Sequence, residues 1–271
     1  VDVHQQGRAV IVDFAVVSGA SAAALLVLHA ITFGIGRRIG RYNVVDVTWA
    51  LGFIAIATVA AILGHGDACR RWLLLALVAI WGLRLSSYIY RRSAGKGEDP
   101  RYADLLRGAS VGQVIRKVFL VQAFATWFIS LPLQLSAITG PTPRRVVAVP
   151  LAGVLVWLIG VLFEAVGDHQ LRVFKSDPSH RGVVMDRGLC AWTRHPNYFG
   201  DASVWWGLWL ITITSWWSLA TVLSPVLMTY FLVYVTGARL TEKYMKGRPG
   251  FAEYQQRTSF FIPRPPRSVR K

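Results

Sequence analysis

Apolar runs of roughly 20 residues recur along this chain, the length a helix needs to cross a bilayer. Composition agrees: 54% of the 271 residues are hydrophobic and only 16% are charged. A soluble domain of this size carries far more charge. We therefore expect an all-α polytopic membrane protein, one domain over residues 1–271 with no separate soluble module. The net charge of +16 must then sit in short loops and tails. That points to an anionic membrane face and anionic ligands rather than to nucleic acid, and no RNA- or DNA-binding motif interleaves the basic residues.

Seven transmembrane helices can be drawn, approximately Val10–Ile35, Val45–Leu63, Trp72–Tyr90, Val114–Ile138, Val146–Val166, Tyr198–Ile213 and Trp217–Arg239. The first is read as a retained helix rather than a cleaved signal. Thr214, Ser215 and Trp216 join the last two as a tight hairpin, with Trp216 and Trp217 at headgroup depth. Basic residues fix the orientation. Arg37, Arg38 and Arg41 follow span one, Arg91, Arg92, Lys96, Arg101 and Arg107 follow span three, and a third group follows span five. The opposite loops hold only Arg70, Arg71, Arg144 and Arg145. The positive-inside rule then puts the N-terminus outside, and the C-terminus and the cofactor-binding loops in the cytoplasm. Cys69 and Cys190 fall on opposite sides, so no disulfide is expected. The stretch from Pro263 to Lys271 reads as a disordered basic tail near anionic lipid.

The chemistry concentrates between Glu164 and Trp209. Glu164 and Asp168 share one helix face at the cytoplasmic end of span five. Like charges there need an offset, from Arg172, from Lys175 or from the hydroxyls of a ligand. A solvated helix end paired with arginine is the plainer alternative. The following loop, including Arg181, offers cations to phosphate. Then comes Thr193-Arg194-His195-Pro196-Asn197-Tyr198-Phe199-Gly200-Asp201, a donor-rich mouth to the sixth span. Pro196 suits a first helical turn, whose backbone donors favour an anion. His195 reads as a hydrogen-bond donor to ligand or a proton shuttle, Asn197 and Tyr198 as polar readers. Asp201, one turn further in, implies a partner for its carboxylate.

Arg239 and Glu242, past span seven, are within reach of the same cavity, though a snorkelling arginine reads equally well. In span two, Asp46 is a functional candidate or a helix cap after Asn43. In span three, Arg84, Ser86, Ser87, Tyr88 and Tyr90 form a polar stripe, and Tyr88 can give a proton to a developing oxyanion. The glycines at 34, 36 and 40 miss the dinucleotide fingerprint. No histidine spacing suits a metal.

Asp168-His169-Gln170-Leu171 with Phe174, Gly188-Leu189 and the run Thr193–Gly200 together resemble the steroid 5-alpha-reductase-like membrane family, specifically its bacterial branch, a domain of unknown function. Glu242-Lys243, Tyr254, Arg257-Thr258 and Phe261-Ile262-Pro263 continue the likeness. It covers the whole chain loosely and residues 160–263, the expected cofactor-binding half, specifically. The resemblance implies a seven-helix bacterial inner-membrane protein binding NADPH from the cytoplasm. It also implies hydride transfer to an enone of a hydrophobic substrate, with membrane lipid around it. By position Glu164, Asp168, Lys175 and Asn197 would contact cofactor, Arg239 and Glu242 would join them, and Asp46 would supply the span-two carboxylate. Two positions depart from the pattern: Asp201 stands where the family has Glu, and Trp81 falls where it has a ketone-polarising tyrosine, with Tyr88 further along. A protonated Asp46 or Tyr88 is expected as donor to the oxyanion.

Arg194–Gly200 also satisfies the Arg-His-Pro-x-Tyr-x-Gly run of S-adenosylmethionine-dependent methyltransferases of the isoprenylcysteine carboxyl type. Those typically have a Glu-Glu pair where this chain has Thr241-Glu242. A non-enzymatic lipid-binding scaffold is the third alternative.

Overall fold

The computed structural model describes residues 3–267; Arg270 and Lys271 of the basic tail lie outside the described residues. Among the described residues all regular elements are helices, and the one β contact is an isolated bridge between Thr193 and Ser259. The class is all-α, as expected.

The helices are α1 (Val3–Ile39), α2 (Val45–Leu63), α3 (Ala68–Ser93), α4 (Pro100–Leu105), α5 (Val111–Val114), α6 (Val121–Ile129), α7 (Leu131–Ser136), α8 (Ala148–Ser176), α9 (Leu189–Trp192), α10 (Pro196–Ile211), α11 (Trp216–Ala220), α12 (Leu223–Tyr230), α13 (Ala238–Met245) and α14 (Phe251–Arg257). Five stretches are long and apolar enough to cross a membrane: Val10–Ile39, Val45–Leu63, Ala68–Ser93, Arg144–Ser176 and Trp216–Met245.

The other two expected spans take a different form. Residues 111–136 start as α5, widen into a π-helical turn at Ile115–Leu120, and continue as α6 before breaking at Ser130 into α7. Pro132 explains the break, because its ring removes an amide and crowds the preceding turn. Ser130 and Gln134 then close on the freed end, Ser130 Oγ donating to the Trp127 carbonyl at 2.8 Å. α10 has 16 residues, a rise of roughly 24 Å, short of a full hydrocarbon core.

The chain divides into two compact units. The first holds α1–α7 with the segment 212–224, and the second holds α8–α10 and the chain from Pro225 onward. Residues 160–263 fall in the second unit apart from 212–224.

In the first unit α2 packs against α1 and α3. Small residues let it approach: a Cβ on Gly82 would come within 2.9 Å of Ile54. Trp81 and Phe53 fill the space beside it, fully buried. Buried Arg70 ties the start of α3 to the segment after α7, donating to Ser136 Oγ at 2.8 Å and to the carbonyls of Thr139 and Gly140.

The second unit is organised by glycines seven apart. Gly153 and Gly160 on α8 face Gly207 and Gly200 on the antiparallel α10, and Gly167 faces Pro196. Seven residues are nearly two helical turns, so each set stays on one face. A Cβ on Gly160 would lie 2.6 Å from the Gly200 carbonyl oxygen, and one on Gly153 would lie 2.7 Å from that of Gly207. The two backbones are therefore in contact. Within lipid there is little hydrophobic drive between helices, and such close packing is what holds them.

Candidate functional site

That contact positions the acidic residues. Glu164 and Asp168 lie one turn apart on α8, with 2% and 5% of their surface exposed. A Cβ on Gly200 would fall 3.0 Å from Glu164 Cβ, so Glu164 sits directly on the first turns of α10. Gly167 likewise brings α8 against Pro196 and the Asn197 amide. Asp201 follows Gly200 and is 7% exposed. Three carboxylates and Asn197 are thus carried on two touching helices. Buried charge is costly unless it is bonded, and none of the three carboxylates lacks a partner.

A second group forms at the mouth of α10. Arg194 Nε donates to Glu242 Oε1 at 2.6 Å, and its Nη1 donates to the carbonyls of Gln255 and Thr258 at 2.9 and 2.8 Å. The guanidinium also lies over the Phe260 ring, 5.3 Å from its centroid. His195, 4% exposed, places Nε2 3.2 Å from the same Glu242 oxygen. Gln255 Nε2 takes the other carboxylate oxygen at 2.9 Å. One carboxylate therefore joins the α9–α10 junction, α13 and α14. Tyr198 reaches Thr241 at 3.4 Å. Behind this group, Thr193 donates to the Phe261 carbonyl at 2.8 Å, and the Arg194 amide donates to Ser259.

The remaining expected cations are exposed. Arg172 meets His169 Nδ1 at 3.0 Å, while Lys175 on the last turn of α8 and Arg181 in the loop after it are exposed. Arg239 is exposed and lies over Tyr234, 4.7 Å from the ring centroid.

Several supporting residues were not singled out for these roles from the sequence. Gln170 Oε1 accepts the Leu189 amide at 2.9 Å and so caps α9. It packs against Gly188, whose φ of +61° suits a residue without Cβ. The buried Tyr254 hydroxyl donates to the Cys190 carbonyl at 2.7 Å, and Arg257 pairs with Asp186. Burial pushes the Tyr254 phenol upward and raises the Cys190 thiol to about 11. Gln170, Tyr254 and Arg257 all lie within the family-like pattern, which was the available signal.

In the first unit, Asp46 is not a backbone cap. Its Oδ1 accepts from Tyr102 at 2.5 Å and its Oδ2 from Arg101 at 3.5 Å. Gln122 donates to the Tyr102 hydroxyl at 3.1 Å. Burial, and then the Asp46 charge, push the Tyr102 phenol upward. Asp99 grips Arg101 with both oxygens, and those hydrogen bonds hold its carboxyl below the ordinary range. Glu98 accepts the backbone amides of Tyr42 and Asn43, covering the turn before α2. The clue was Glu98-Asp99 standing in an otherwise basic loop. Tyr88 is half-buried, with Arg92 over its ring at 5.7 Å.

A family model, described as protein of unknown function (DUF1295), matches residues 32–258. The chain belongs to the DUF1295 family. No curated protein and no solved structure matches it. The DUF1295 match runs through every candidate residue from Asp46 to Glu242 and ends at Thr258, whose carbonyl accepts from Arg194. Both cysteines are free thiols, and among the described residues no cluster of His, Cys, Asp or Glu has the makings of a metal site.

Proposed function

We propose that this chain is a membrane-embedded, NADPH-dependent reductase that delivers hydride to a polarised carbon–carbon double bond of a hydrophobic, lipid- or steroid-like substrate. In this reading it crosses the bilayer seven times and takes its cofactor from the cytoplasm. One observation carries the proposal: Glu164, Asp168 and Asp201 are buried beside Asn197 where the apolar helices α8 and α10 touch. Ionisable groups at that depth are rare outside ligand and ion pathways.

The donor set fits a reduced dinucleotide. Buried carboxylates accept ribose hydroxyls. The exposed Arg172, Lys175 and Arg181 suit phosphates, and Asn197 offers both donor and acceptor at the helix mouth. Bound NADPH would supply the hydride. Glu164, Asp168 and Asn197 would orient it, while the aromatic side chains of Trp205 and Phe199 on α10 would keep water away. The steroid 5-alpha-reductase-like pattern in residues 160–263 supports the same reading.

A second reading, S-adenosylmethionine-dependent methyl transfer, is favoured by the meeting of Arg194, His195 and Glu242. Thermal unfolding in lipid nanodiscs separates the two, because a ligand that binds only the folded state raises its stability. NADPH is expected to raise the midpoint and S-adenosylmethionine to leave it in place. The reverse pattern would overturn the reductase reading in favour of the methyltransferase.

A further inference from the structure

His195 was expected to donate to ligand, as part of an anion-reading mouth. The geometry at Glu242 assigns it a different task. A carboxylate oxygen that receives Arg194 Nε at 2.6 Å and faces His195 Nε2 at 3.2 Å has no proton to give, so Nε2 must carry the hydrogen. In the neutral ring, Nδ1 is then a bare lone pair. Among the described residues the ring's hydrogen bonding is through Nε2, and Nδ1 is not one of the fully enclosed unpartnered atoms, so it stays open at the edge of a largely buried side chain. An acceptor left open there is free to meet water or a donor the ligand brings.

We infer that Glu242 is a positioning residue that fixes the tautomer of His195, so that the imidazole reads an N–H or O–H donor of the ligand and turns away its phosphates. A phosphate oxygen against a lone pair has no hydrogen to share. This rests on the reductase reading and sharpens it. His195 takes an amino, carboxamide or hydroxyl group of NADPH, and the phosphates go to the exposed cations. Arg194 belongs to the same device, because its bonds to Glu242, Gln255 and Thr258 hold the carboxylate in place.

The test is nitrogen-15 spectroscopy of histidine-labelled protein in nanodiscs at mildly alkaline pH, with the His195 signal assigned by its loss in His195→Gln. The expected spectrum shows a protonated Nε2 and an unprotonated Nδ1, and Glu242→Ala is expected to blur this into mixed tautomers. A ring protonated at Nδ1, or at both nitrogens, would overturn the inference. Binding gives a second arm. His195→Gln keeps an amide donor toward Glu242 but leaves no acceptor at the position of Nδ1. It should melt like the parent yet bind NADPH about tenfold more weakly, the worth of one neutral hydrogen bond. Equal binding by a normally melting His195→Gln would also overturn it. If the parent itself ignores NADPH, the reductase reading fails, and the spectrum alone still decides the tautomer.

Discussion

Arg194 donates along Nε to a carboxylate and along Nη1 to two main-chain carbonyls, a fork that lysine cannot copy. Arg194→Lys should therefore cost roughly 1–3 kcal/mol, the range for losing charge-assisted hydrogen bonds in a mostly buried site. A thermal melt in nanodiscs checks it; an unchanged midpoint would mean that the C-terminal segment is held by its other contacts. Cys190 offers a cleaner test. Its thiol is buried and its pKa raised to about 11, so at pH near 8 almost none of it is the reactive thiolate. Maleimide should label exposed Cys69 quickly and Cys190 only on unfolding, as read by mass spectrometry of the two peptides. At this scale the sequence exposed residue types but not their partners. Glu242 was visible as a candidate, whereas its bonds to both Arg194 and His195 depend on how α13 returns to α10. The separation of 48 positions between Arg194 and Glu242 carries no local sign of that return.

Helices α8 and α10 stand or fall on their glycine faces. Gly160→Ala puts a methyl carbon 2.6 Å from a main-chain oxygen that cannot swing aside, so the helices must part. The expected loss is about 2–3 kcal/mol, with weakened nucleotide binding because Glu164 shifts with its helix. Gly34→Ala is the control: nothing lies within 4 Å of the new atom, and alanine should leave the stability unchanged or raise it by up to about 1 kcal/mol. The loop before α4 gives a pH prediction. Asp99 titrates below its unfolded value because Arg101 bonds to it, so its contribution is present above the ordinary carboxylate range and lost as pH falls through the folded value. Hydrogen exchange in residues 99–106 should rise below about pH 4, and Asp99→Asn should abolish that step. Continuous apolar runs made most of the long helices legible. The interruptions were not, because Pro132 and the π turn at Ile115–Leu120 leave the mean hydropathy of their stretch almost unchanged.

Across the molecule, the sequence reached the helical class and the polar concentration in residues 160–263, since both follow from where charge is tolerated in apolar surroundings. The seven-residue glycine repeat was equally readable along the chain, yet its meaning appears only when two antiparallel helices are laid together in register. The central claim is that Glu164, Asp168 and Asn197 hold a reduced dinucleotide. It is tested most directly by equilibrium binding of NADPH to the nanodisc-embedded protein, read as energy transfer from its tryptophans to the reduced nicotinamide. The account predicts saturable transfer in the parent and at least about tenfold weaker binding in Asp168→Ala and Asn197→Ala, each having lost a hydrogen-bonding group. A folded parent protein that shows no saturable transfer, or variants that bind as tightly as the parent, would contradict it.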